Sequence, residues 1–134
     1  MSYISEALEY LNILDENQSA KSAINSSMII MLTHMLKCEY QPEYKNKSSW
    51  LASIWNSYKN IVSQFTAIGK GVMFKIFYMK TLDLDTLYKI AVKDASKETG
   101  KPLDIFPDKC PWTKLELVNL DFINNFIEKY DKSN

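Results

Sequence analysis

The chain has 134 residues, 46% hydrophobic and 24% charged, with 16 lysines balancing 16 acids and no arginine. That length and apolar fraction suit one folded domain rather than a disordered tail, and zero net charge argues against a generally basic nucleic-acid binder. Without arginine there are no bidentate forks for phosphate, carboxylate or guanine, and a single histidine, His34, removes most histidine-based catalytic sets.

The start, Met1 to Glu6, has neither a basic leader region nor an apolar one, so it reads as the beginning of a helix and not as a secretion signal. The longest purely apolar run, Met28 to Leu32, falls far short of the roughly 20 residues a membrane span needs. Cys38 and Cys110 read as free thiols in a reducing compartment, so a cytoplasmic protein is expected.

Three glycines and four prolines favour long helices over many short strands. A first helix is predicted over Ser2–Leu14, where Ile4, Ala7, Leu8, Leu11 and Leu14 recur at helical spacing. A second follows over Gln18–Cys38 with Ile24, Met28, Met31, Leu32, Met35 and Leu36 as its stripe. Ile29 and Ile30 widen that stripe, so burial on more than one side is expected.

A third helix should open after Ser48 or Ser49, both good caps, and carry Leu51, Ile54, Trp55, Tyr58, Ile61, Val62, Phe65 and Ile68 inward until Gly69 and Gly71. Residues 72–79 have strand propensity, but nothing in the sequence offers them a partner strand, and they are read as a short helix.

A further helix is expected from Asp83 to Gly100, a natural residue for the position after a helix end. Residues 101–112 hold Pro102, Pro107 and Pro111 and cannot be helical throughout. Leu103, Ile105, Phe106, Cys110 and Trp112 should make this segment lie across the bundle. Thr113 and Glu116 form a capping-box pattern for a short helix. Asp121 is the expected cap of a last helix that turns Phe122, Ile123, Phe126, Ile127 and Tyr130 inward. The reading is a single all-α domain over residues 1–134, a bundle of five to seven helices with a proline-rich crossing segment.

Several rare residues stand in a distinctive order: His34, Lys37, Tyr40, Gln41 and Pro42, then Trp50, then Gly100, then Phe106, Pro107, Cys110, Pro111 and Trp112. Over about residues 19–123 this resembles the bacterial family catalogued as domain of unknown function twenty-nine, whose pattern runs close to HLLKWxYQP, SW, ETG and FPxxCPYT. The resemblance implies an all-helical fold and no established activity. Cys38 stands where the family has tryptophan, and Lys45 and Lys47 stand where it has arginine, which keeps the sign of the charge but not its fork.

The residues allow three kinds of site. His34 and Cys38 share a helix face four residues apart, and Cys110 could join them as a metal ligand. No paired-ligand motif supports that set, so no metal and no cofactor are expected. His34 could act as a general base on Ser27 or Cys110, and Cys110 could be activated by the helix opening at Thr113. No nucleophile signature accompanies either, and a structural histidine beside buried thiols is the expected state. His34, Lys37, Tyr40, Gln41 and Trp50 are expected to form a polar and aromatic cluster that fixes the exit of the second helix.

Charge is segregated along the chain. Residues 1–44 carry six acids and two lysines, residues 45–82 six lysines and no acid, and residues 83–134 ten acids and eight lysines. Glu6, Glu9, Asp15 and Glu16 are candidates for an acidic partner surface, and Lys45, Lys47, Lys59, Lys70, Lys75 and Lys80 for a basic one. The functional expectation is a non-enzymatic protein-binding domain, in the manner of an immunity protein or antitoxin that blocks a toxin encoded nearby. A hydrolase-like enzyme using His34 and a nucleic-acid accessory protein using the lysines are the alternatives. Neither nucleic acid nor membrane is an expected partner, while the apolar second helix or residues 72–79 could pair with a second copy.

Overall fold

The computed structural model describes residues 18–44, 46–68 and 78–131. The expected first helix with Glu6, Glu9, Asp15 and Glu16, together with Lys45, Gly69, Lys70, Gly71, Lys75 and residues 72–77, lies outside the described residues. The described elements are α1 (Gln18–Tyr40), α2 (Ser48–Ile68), α3 (Leu84–Thr99), a 3-10 turn (Leu103–Ile105), α4 (Lys114–Leu117) and α5 (Leu120–Tyr130). Residues 78–81 are helical as well, and no strand occurs among the described residues.

α1 is the central element, packed on one side against α2 and on another against α3. Its sequence explains why: Ile24, Met28, Met31, Leu32, Met35 and Leu36 are all fully buried. Each such side chain contributes roughly 1.5–3 kcal/mol when taken out of water. Of its large apolar residues only Ile30 stands exposed, so the stripe that could have paired with a second copy is spent inside the fold. α1 runs two residues past the expected Cys38. Pro42 restricts Gln41, the residue before it, and leaves Tyr40 free to stay helical.

α2 buries Leu51, Ile54, Tyr58, Ile61 and Phe65 along one stripe and also touches α5. The helical residues 78–81 are tied to α1 by Tyr78, whose buried hydroxyl donates to Asn25 Oδ1 at 3.0 Å. Lys114 caps the same turn by donating to the Met79 carbonyl at 2.8 Å.

The ends of α3 and α4 follow from single residues. The Asp83 carboxylate accepts from the Thr86 amide at 3.2 Å, and Gly100 ends α3 in the left-handed region at φ 72°. Thr113 and Glu116 form the reciprocal capping box. α5 departs from expectation by two residues: Asn119, not Asp121, is the cap, and its side chain accepts from the Phe122 amide.

Between α3 and α4 the proline-rich strap does cross the bundle, held by Phe106 and Trp112, which are 5% and 8% exposed. Its other apolar residues do not follow them inward. Cys110 is half-buried, and Leu103 and Ile105 face solvent at 54% and 36% exposure.

A Cβ at Gly100 would meet nothing within 4 Å, so the cost of replacing this glycine is conformational only. Gly100→Ala is expected to lower stability by about 1 kcal/mol, with Gly100→Asn losing less. Urea unfolding midpoints check this, and an unaffected alanine variant would contradict it.

Candidate functional site

The last turns of α1 place His34 and Lys37 at i and i+3, one face of the helix, and Gln41 follows directly after the helix end. The first turn of α2 brings Trp50 to that face, and the last turn of α3 brings Glu98. Lys37 is 7% exposed, which is rare for lysine. Its ammonium donates to Glu98 Oε1 at 2.9 Å and lies 4.9 Å from the centre of a Trp50 ring. Lys37 also sits in the final turn of α1, where the helix dipole favours a cation. Glu98 stays about half exposed, so water reaches the pair from one side.

His34 is drawn into this cluster electrostatically. Burial pushes its pKa below 6.5, Lys37 pushes the same way, and Glu98 opposes both. The Nδ1 of His34 and the Oε1 of Gln41 are buried without a hydrogen-bond partner in the structure. Around this centre the motif residues form an aromatic collar. Tyr44 stacks on Trp50 at 4.7 Å between centroids, and Tyr40 meets Phe106 edge-on at 5.8 Å. Glu43 pairs with Lys101, and Glu39 with Lys129 of α5 at 3.4 Å. The expected cluster of His34, Lys37, Tyr40, Gln41 and Trp50 therefore gathers α2, α3, the strap and α5 around one end of α1. Glu98 was missed in that set. Its only sequence signal was its place beside Thr99 and Gly100 in the family pattern.

The candidate pair of Ser27 and His34 is not brought together. Ser27 lies seven residues before His34, about 10 Å along the helix, and its hydroxyl accepts from Asn60 of α2. The charges that act on Cys110 are those of Asp85 and Glu116. Burial pushes the Cys110 thiol up, those two acids add to the effect, and only the Trp112 amide works against it. These effects work against the activated thiolate that a helix start could produce, and α4 is only a single turn. Cys38 is 1% exposed, and burial pushes its thiol up to about 12. Both cysteines are free. No three of the described His, Cys, Asp or Glu residues are grouped to hold a metal ion, so His34, Cys38 and Cys110 do not form the set considered above.

The described lysines of the basic segment are partly engaged. Lys47 donates to the Tyr44 carbonyl, Lys59 lies over Trp55 at 5.7 Å, and Lys80 is exposed.

The description "Domain of unknown function DUF29" matches residues 5–123. The chain belongs to that family. The match reaches upstream of the motif residues and spans most of the chain, so the family pattern includes the segment before α1. Within the DUF29 pattern, residues more than 60 positions apart, Lys37 and Glu98, meet at one ion pair. No curated protein and no solved structure matches the chain. No described helix is long and apolar enough to cross a membrane.

The depressed His34 pKa has a measurable consequence. As pH falls, the unfolded chain takes up this proton first, near 6.5. Its contribution to stability is therefore whole above that value and is lost as pH drops through the lower folded value. Urea midpoints measured downward from pH 7.5 should fall less steeply for His34→Gln than for the parent. Parallel curves would show that His34 is not the source.

Proposed function

We propose that this chain is a non-enzymatic protein-binding domain that acts in the cytoplasm. In its specific form it would be an immunity protein or antitoxin that binds and blocks a toxin. The observation that carries the reading is the strap. A segment pinned by Phe106 and Trp112 holds Leu103 and Ile105 out in water. Bulky apolar side chains exposed on an anchored segment contribute little to the core and are available to a partner.

The chemistry of the polar cluster supports the same reading. The Lys37 ammonium is committed to Glu98 and Trp50, and burial pushes the Cys38 and Cys110 thiols up, away from the reactive thiolate. A toxin-blocking role is an expectation by analogy with other small helical proteins and not a consequence of the fold.

Co-expression with the product of the adjacent gene, followed by co-purification and calorimetry, tests the proposal. A stable complex with micromolar or tighter affinity is expected. Failure to bind any neighbour-encoded protein, or turnover of a substrate abolished by His34→Ala, would overturn it.

A further inference from the structure

The groove between α3 and the strap combines an apolar slot with a charged rim. Tyr88 and Val92 form its helical wall, and Leu103, Phe106 and Pro107 form the wall on the strap. The Tyr88 hydroxyl donates to the Pro107 carbonyl at 2.7 Å and fixes the two walls relative to each other. The volume is about 300 Å³. That is the lower limit for small-molecule pockets and enough for one or two bulky side chains.

The rim is charged. Lys89 and Lys93 stand one turn apart on α3, both exposed, and neither is in an ion pair. Asp85, one turn before Lys89, is placed to be its intrahelical partner, yet no ion pair joins them. Lys89 acts on the Asp83 carboxylate at the start of α3, but the two lysines at this spacing still repel each other, and an anion between or above them relieves the repulsion. Asp108 lines the groove from the strap side.

The geometry points to this groove as the docking site for an acidic, extended segment of a partner protein. This rests on the protein-binding reading above and names the partner's chemistry. Lys89 and Lys93 are separated by about 6 Å along the helix axis, and alternate residues of an extended strand by about 6.8 Å. Two carboxylates at i and i+2 of such a segment therefore meet both ammoniums. The intervening apolar side chain points the opposite way, toward the strap wall of Leu103 and Phe106. Asp108 then faces a backbone N–H or a cation at the other edge of the segment. A phosphate backbone would meet the Asp108 carboxylate across an apolar slot, which disfavours nucleic acid here.

The test titrates the isotopically labelled full chain with three synthetic peptides of equal length, monitored by amide chemical shifts. One alternates glutamate with leucine, one carries lysine for each glutamate, and one carries serine for each leucine. The glutamate–leucine peptide should shift amides within 88–93 and 103–108, and the other two should bind about tenfold more weakly or less. The exposed double variant K89E/K93E should reverse the preference toward the lysine–leucine peptide, with its spectrum outside the groove unchanged.

The proposal is overturned by absence of shifts, by shifts confined to another surface, or by equal binding of all three peptides. Tighter binding of a short oligonucleotide at the same residues would also overturn it. A partner protein that binds K89E/K93E as well as the parent would leave the protein-binding reading standing and remove this groove from it.

Discussion

The ammonium of Lys37 sets the constraint on which the described structure depends. A buried cation costs several kcal/mol unless it is paired and hydrogen-bonded, and two other elements supply what it needs. α1 delivers it in its last turn, α3 delivers Glu98, and α2 delivers the face of Trp50. None of these contacts is local in sequence, so each acts as a tether between helices. The half-exposed Glu98 carboxylate keeps the pair in reach of water, which lowers both its cost and its gain.

That tether also shapes the surface. Glu98 lies two residues before Gly100, where the chain leaves α3 with a left-handed residue and enters the strap. The strap returns to α3 at Pro107, whose carbonyl accepts from Tyr88, and its Phe106 ring meets Tyr40 of α1. The groove beside Lys89 and Lys93 is thus bounded by two fixed points, one ionic and one neutral. A polar cluster can in this way shape a surface groove some distance away, by deciding where a loop begins.

Local chemistry was well legible in the sequence. The Asp83 cap, the Gly100 terminus, the Thr113–Glu116 capping box and the inward stripe of α2 each depend on residues within a few positions of one another. The buried cluster was half legible. The ordering of His34, Lys37 and Trp50 suggested a shared centre, but the carboxylate that completes it is 61 residues from Lys37. The exposure of Leu103 and Ile105 could not be read at all. Apolar composition implies burial on average, and only the three-dimensional path of the strap decides which of its apolar residues find a neighbour. The cap of α5 failed for a simpler reason. Asn119 and Asp121 are both good capping residues, and a choice between them needs the backbone.

The central claim is that Lys37 and Glu98 act as one unit. A double-mutant cycle by urea unfolding, with Lys37→Met and Glu98→Gln separately and together, measures this most directly. Glu98→Gln alone leaves a buried ammonium without its partner and should destabilise the fold. The double variant should recover much of that loss, with a coupling of about 1 kcal/mol or more. Additive costs, or a Glu98→Gln variant as stable as the parent, would contradict the account.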